Sequence, residues 1–500
     1  FRDDINVIGV PLTAICNKEY TDPRQRQLFK NIIYLGVLSA LLDMDPAVIE
    51  TLIGEQYKGK DKLIGPNVHA LHLGRNWALA NLTCPIGLRV RKADKVGDRI
   101  FIEGNAAAAL GAVYGGATVC AWYPITPSSS LAEAFTRYCA KLRVDKDTGE
   151  AKYAIIQAED ELASIGMVIG ASWNGARAFT STSGPGISLM SEFAGLSYYA
   201  EVPAVVFDIQ RVGPSTGLPT RTAQGDILTV ALLSHGDTKQ LMLLPATVEE
   251  CYTMAMDAFD LAERFQTLVF VLSDLDLGMN TWMSKPFTYP EKPLDRGKLL
   301  DQATLERMGE YGRYKDIDND GIPYRTIPGD GMPAYFTRGS GHNEKGQYSE
   351  RPDDYVNNMQ RLARKFETAK RFVPQPVIET VSDARVGILA FGTTHFAVEE
   401  SRAQLAAEAD LKTSYLRLRA YPFTDDVAEF IHQCDRVYVV EQNRDGQMFG
   451  LLRMELDPAL SAKLRSVRHF NGLPIDARSV TDEIVAQEGV QRPELAAVRT

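Results

Sequence analysis

Tyr123-Pro124-Ile125-Thr126-Pro127-Ser128-Ser129-Ser130 is the stretch on which the reading of this chain turns. A threonine between two prolines, followed by three hydroxyl residues, suits a helix entrance. Pro127 can sit at or near the first helical position, and Thr126 or the serines can cap free backbone N–H groups. A Gly/Ala-rich run, Gly104 to Ala112, precedes it, and an amphipathic stretch, Leu131 to Tyr138, follows. Taken alone, the stretch requires no more than a capped helix.

Outward from it, residues 99 to 283 alternate between strand and helix. Strands are expected at Tyr153–Gln157, Ala178–Thr182, Ala204–Ile209 and Leu268–Ser273, with helices at Leu162–Trp173, Ser188–Tyr199 and Val248–Phe265. Short, continuous apolar strands between helices predict α/β architecture, a parallel sheet covered on both faces. Residues 284 to 378 are richer in Pro, Gly and charge with weak periodicity, and read as an extended arm. Residues 379 to 500 resume the α/β pattern, with strands at Val386–Ala390, Thr413–Leu418 and Val437–Val440 and helices at Phe396–Ala407 and Asp425–Cys434. Residues 1 to 98 also read as α/β, with a strand at Ile5–Val10 and a helix at Arg26–Leu42. The chain opens at Phe1 rather than at a methionine, so a longer native N-terminus is expected.

Five hundred residues suit roughly three domains. No apolar run reaches the ~18 residues that span a membrane. A net charge of −10 argues against a nucleic-acid-binding surface. The six cysteines contain no C-x-x-C, so neither a Cys-type zinc site nor an iron–sulfur cluster is encoded, and no metal site is assigned to this chain. Their sparse distribution fits a reducing compartment, hence the cytoplasm. His69 and His72 lack a third ligand nearby and read as structural.

Three constellations can carry chemistry. Glu159-Asp160-Glu161 follows an expected strand, at the carboxyl end where open α/β sheets bind ligands. Acids there also suit a helix N-terminus. The helix after them, Leu162 to Ala171, is apolar and small, so at least one acid lies at the mouth of the core. Ser181-Thr182-Ser183-Gly184-Pro185-Gly186 ends a strand in a turn where backbone can approach a ligand closely. Arg211-Val212-Gly213-Pro214-Ser215-Thr216-Gly217-Leu218-Pro219-Thr220 places a guanidinium, suited to a carboxylate, ahead of a hydroxyl-rich loop.

In this order the motifs Tyr123–Ser130, Glu159–Gly170, Ser181–Gly186 and Arg211–Thr220 resemble those of the 2-oxoacid:ferredoxin oxidoreductases, in the alpha-type subunit with the pyrimidine-type thiamine diphosphate domain. The resemblance covers nearly the whole chain. It implies a partial gamma-type domain over 1–98, the pyrimidine-type domain over 99–378 and a transketolase C-terminal-like domain over 379–500. Thiamine chemistry needs a carboxyl group on N1′ of the aminopyrimidine. The family's Glu-x-x-x-x-Gly spacing assigns that role to Glu161, five residues before Gly166, with Glu159 as runner-up. The resemblance further implies cofactor contacts at Pro124, Ile125 and Gly184, and oxoacid contacts at Arg211, Thr220 and Thr126.

By the same resemblance a beta-type subunit supplies the diphosphate and Mg2+ site and a [4Fe-4S] cluster. Coenzyme A is the co-substrate, ferredoxin the electron acceptor, and two alpha–beta pairs assemble. 2-Oxoglutarate is favoured over pyruvate or a broad substrate range, in the direction of oxidation or of carboxylation. Gly329-Asp330-Gly331 with Asn357-Asn358 mimics the diphosphate motif, but it lacks a buried strand before it. Were it genuine, the chain would be a self-sufficient transketolase-type enzyme. A non-catalytic scaffold is the other alternative. Arg338–Gly346 resembles a family loop near the active site, and Glu441–Gln447 reads as a strand–turn–helix with no assigned chemistry.

Overall fold

The computed structural model describes residues 5–308, 310–329 and 337–490. Asp330 and Gly331, the centre of the diphosphate-like motif, lie outside them. The chain forms two compact units, Phe1–Gly97 and Asp98–Thr500.

The described residues of the first unit are helical. Four α-helices span Leu12–Glu19, Pro23–Leu41, Pro46–Gln56 and Ile64–Asn81. Asp22 and Asp45 cap the second and third, each with proline in the first turn. The strand expected at Ile5–Val10 is absent, because the alternating residues find no sheet to join and are mostly exposed. The two longest helices meet backbone to backbone. A Cβ on Gly36 would fall 2.0 Å from the Leu71 carbonyl oxygen, and one on Gly74 falls 1.9 Å from that of Ile33. His69 and His72 pair with Glu19 and Glu50 at 2.7 and 2.9 Å.

The second unit is built on a seven-stranded sheet. Its spatial order is Ala420–Tyr421, Leu241–Leu243, Leu268–Asp274, Ala204–Gln210, Ala178–Thr182, Val119–Trp122, Ala154–Gln157. All neighbours are parallel except the first pair. The three strands Ala178–Thr182, Ala204–Gln210 and Leu268–Asp274 are buried along their whole length and largely apolar, because helices cover both faces. Phe179 stands edge-on to Phe135, Phe207 and Phe259 at centroid distances of 4.8, 5.4 and 6.1 Å. Burying each such ring contributes roughly 2–3 kcal/mol. Val119–Trp122 is flanked by the next strand in sequence on one side and the one after that on the other. The connections therefore diverge at this point, and a crevice opens at the carboxyl ends of the strands.

A second sheet has the order Leu464–Arg468, Arg436–Glu441, Val386–Phe391, Thr413–Leu418, Val377–Glu379, parallel except for its last strand. Residues 284 to 378 are more regular than the expected extended arm. They include helices Gln302–Met308 and Pro352–Ala369. The latter inserts Arg361 and Lys365 against the fully buried Glu201, at 2.5 and 2.8 Å. Burial alone would raise the Glu201 carboxyl, but these two cations outweigh it and bring it to about 2. Lys365 is itself pushed down to about 8 by burial and by the nearby Arg361, against the pull of Glu201.

Candidate active site

Four loops meet in the crevice, each leaving the carboxyl end of a parallel strand. The loop after Val119–Trp122 carries Thr126. Ser128 and Ser129 do not cap the helix Ser129–Leu142 as expected. Their hydroxyls donate back to the Ile125 carbonyl at 3.1 and 3.2 Å, and Ile125 N–H donates to Ser129 Oγ at 3.0 Å. The chain turns tightly here, and Pro127 precedes the helix rather than entering it. Asn105, from the Gly/Ala-rich helix Gly104–Tyr114, donates to the Pro127 carbonyl at 2.9 Å and to Ser130 Oγ at 2.8 Å. Pro124 and Thr126 stay exposed, and Ile125 is half-buried.

The loop after Ala154–Gln157 separates the three acids. Glu159 is exposed, and Asp160 is the N-cap, accepting from Ala163 N–H at 2.6 Å. Glu161, the first residue of the helix Glu161–Trp173, is 6% exposed. Among the described residues none donates a hydrogen bond to its carboxyl group. Beside it, Ser183 leads directly into the helix Gly184–Leu189, so Gly-Pro-Gly forms the helix's first turn, earlier than the expected start at Ser188. A Cβ on Gly186 would lie 1.9 Å from Thr182 Oγ1 and 2.8 Å from Glu161 Cγ, so the glycine is what admits the Glu161 side chain.

Arg211 follows Ala204–Gln210 and is 7% exposed. Its Nη1 donates to the Thr126 carbonyl at 2.7 Å and its Nη2 to the Thr216 carbonyl at 3.1 Å, while buried Nε–H has no partner among the described residues. Burial lowers the guanidinium's affinity for its proton, and the negative charges of Asp226 and Glu161 oppose that effect. The structure thus brings Thr126, Glu161, Gly184 and Arg211 to one crevice. Thr220 is exposed, and the contacts around it are local, with its carbonyl accepting from the Arg221 guanidinium at 2.9 Å.

Sequence reasoning missed Asp208 and Asp226. A Cβ on Gly184 would lie 2.8 Å from Asp226 Oδ1, and the Asp208 carboxyl faces Asp226. An acid inside the apolar strand Ala-Val-Val-Phe-Asp-Ile was a visible anomaly, but only the fold reveals its neighbour. It also missed the role of Glu441–Gln447. Gln224 N–H donates to the Gln442 carbonyl at 2.8 Å, Asn443 donates to the Gln224 carbonyl at 2.9 Å, and Gln447 donates to the Gly225 carbonyl at 2.6 Å. The turn from the second sheet therefore holds the segment that carries Asp226. In the loop 338–346, His342 is buried and stacks on Tyr314 at 3.9 Å, and Asn358 donates to its carbonyl at 2.6 Å. Asn358 is thus engaged in packing.

The sequence and the fold are similar to those of known proteins. The family model described as "Pyruvate flavodoxin/ferredoxin oxidoreductase, thiamine diP-bdg" matches residues 110–326, and "Pyruvate ferredoxin/flavodoxin oxidoreductase" matches residues 2–77. The alpha subunit of 2-oxoacid:ferredoxin oxidoreductase 2 from Aeropyrum pernix is 33% identical, over 97% of this chain and 77% of its own. The 2-oxoglutarate synthase subunit KorA of Methanocaldococcus jannaschii is 35% identical, over 70% of this chain and 89% of its own. A solved 2-oxoglutarate:ferredoxin oxidoreductase from Magnetococcus marinus, with 2-oxoglutarate, coenzyme A and succinyl-CoA bound, superposes with a TM-score of 0.79 at 29% identity. It covers 96% of this chain and 80% of that one. The chain belongs to the thiamine diphosphate-dependent 2-oxoacid:ferredoxin oxidoreductases, as an alpha-type subunit.

Proposed function

We propose that this subunit, with a beta-type partner, oxidises 2-oxoglutarate to succinyl-CoA and passes the electrons to ferredoxin, or runs the reverse carboxylation. The observation that carries the reading is that Glu161 and Arg211 follow the carboxyl ends of two parallel strands of one sheet, each residue nearly buried. Glu161 is a buried carboxyl group without a hydrogen-bond donor among the described residues, and Arg211 retains N–H groups for a carboxylate. Thiamine diphosphate fits the site, since its aminopyrimidine can engage the Glu161 carboxyl and the Gly184–Gly186 turn leaves room for close approach. When bound, it supplies a carbon acid that adds to the keto carbon and holds the electron pair left as CO2 departs.

The chain's own residues then have distinct tasks. Glu161 holds a proton at N1′. Gly184, Pro124 and Ile125 shape the walls around the cofactor ring. Arg211, already fixed by two backbone carbonyls, presents its remaining N–H groups to the oxoacid carboxylate, as a rigid guanidinium does well. Thr126 orients the substrate. The diphosphate and Mg2+ site and a [4Fe-4S] cluster belong to the partner, and two alpha–beta pairs assemble. The helix bearing Glu161 supports such a partner, for it exposes Leu162 and Met167 beside the buried acid. The six free cysteines support a reducing compartment, the cytoplasm. The substrate assignment rests on relatives named as 2-oxoglutarate enzymes.

The test is anaerobic viologen reduction by the complex purified natively with its partner. Reduction that needs both 2-oxoglutarate and coenzyme A is expected. An equal kcat/KM with pyruvate would replace the substrate assignment, and no reduction with either oxoacid would overturn the reading.

A further inference from the structure

The hydroxyl-rich loop that anchors Arg211 is closed on itself and then held from outside its own sheet. Val212 N–H donates to the Arg221 carbonyl at 3.1 Å, Leu218 N–H to the Val212 carbonyl at 3.0 Å, and Arg221 N–H to the Leu218 carbonyl at 3.0 Å. These bonds tie the outgoing end of the loop to its return. The return end runs onto turns at the carboxyl ends of the second sheet's parallel strands. Thr222 N–H donates to the Gly472 carbonyl at 3.2 Å. A Cβ on Gly472 would lie 3.2 Å from Arg221 Cβ and 3.5 Å from Val212 Cγ2, so both ends of the loop rest against that glycine. Gln224 follows, 1% exposed. Its backbone is bonded to Gln442 and Asn443. Its Nε2 donates to the Phe391 carbonyl at 3.1 Å, and its Oε1 accepts from Thr394 Oγ1 and from Gln442 N–H, each at 3.1 Å. Gln442 in turn donates to the Thr393 and Thr394 hydroxyls at 3.0 and 3.2 Å and accepts from Ile475 N–H at 3.3 Å, joining the turns to one another. A buried amide so bonded cannot shift without leaving polar groups unpaired.

We propose that Gln224 is a positioning residue for oxoacid binding: the turns of the second sheet grip it and thereby fix the loop Val212–Arg221, whose Thr216 carbonyl orients the Arg211 guanidinium. The inference rests on the reading of Arg211 given above. Arg211 Nη2 donates to the Thr216 carbonyl at 3.1 Å, in the middle of this loop. A small displacement of the loop therefore re-aims the guanidinium, and small misplacements of a binding group are costly. Gln224 touches no substrate and acts through Arg211. Residues 391–394, 442–443 and 472 gain a task in oxoacid binding by holding the loop from outside its own sheet.

The test is steady-state kinetics of the natively purified complex carrying Gln224→Leu, Arg211→Lys or both. Leucine keeps the approximate volume of the side chain and removes its hydrogen bonds to Phe391, Thr394 and Gln442. In Gln224→Leu the oxoacid KM rises by about tenfold, while kcat changes by less than about twofold and the coenzyme A KM stays in place. In the Arg211→Lys background the same change adds little, because the guanidinium that Gln224 positions is already gone. Gln447→Ala serves if the first variant does not assemble. It frees the Gly225 carbonyl and Leu228 N–H, from a half-buried position, and raises the oxoacid KM by about threefold, again only where Arg211 is present. A merely structural role would lower yield or kcat and add to the effect of Arg211→Lys. An unchanged oxoacid KM in an assembled, active variant, or additive effects, overturns the positioning role while the functional reading stands. An unchanged KM in Arg211→Lys alone removes Arg211 from the substrate site, and this inference with it. Absence of oxoacid oxidation by the wild type removes the functional reading as a whole.

Discussion

The β-carbon that Gly186 lacks would fall 2.8 Å from Glu161 Cγ. The turn at the end of one strand is thus shaped around the acid that follows another. The same absent atom would lie 1.9 Å from Thr182 Oγ1, so a side chain at this position must displace one neighbour or both.

Gly186→Ala is therefore expected to disturb the site more than the fold. Overpacking of this kind costs roughly 1–3 kcal/mol, which a two-unit chain of this size tolerates. Displacing Glu161 should lower kcat by about 100-fold, since small misplacements of reacting groups are that costly. The check is kcat together with the thermal midpoint of the purified complex. An unchanged kcat would show that Glu161 has room to spare.

Arg211→Lys should separate charge from geometry. Lysine keeps the positive charge but cannot reach Thr126 and Thr216 together while presenting a planar fork. The oxoacid KM is expected to rise by about tenfold or more, the equivalent of losing one charge-assisted hydrogen bond. Coenzyme A dependence should be unaffected. Titration of both substrates measures this, and an unchanged oxoacid KM would remove Arg211 from the substrate site.

The buried cluster around Glu201 should matter for stability and little for turnover. Glu201→Gln leaves Arg361 and Lys365 buried without their counter-charge, which costs about 3–5 kcal/mol. Replacing all three with apolar residues of similar volume should recover much of that loss. Thermal midpoints of the two variants at neutral pH test the argument, which fails if the single change is silent.

What was legible in the sequence follows from where apolar residues do the packing. The helix Val248–Phe265 and the strand Thr413–Leu418 begin and end where their apolar patterns predict. The helix Pro352–Ala369 was not legible, because its buried face carries Asn358, Arg361 and Lys365, charge-satisfied rather than apolar. Ile5–Val10 alternates like a strand, but alternation cannot supply a partner strand. The serines at 128 to 130 read as caps, yet Asn105 and Ile125 claim them first. In the site, Thr126, Glu161 and Arg211 were each visible in their motifs. The proximity of Asp208 to Asp226 and the hold of Gln442 on Gln224 were not, since both depend on segments that meet only in the folded chain.

In the function proposed above, cofactor chemistry depends on the Glu161 carboxyl. The most direct measurement is the turnover of Glu161→Gln in the assembled complex, alongside its thiamine diphosphate content. The variant is expected to assemble and retain cofactor while kcat falls by at least about 1,000-fold. Wild-type turnover from a cofactor-loaded Glu161→Gln complex would show that Glu161 is not that acid.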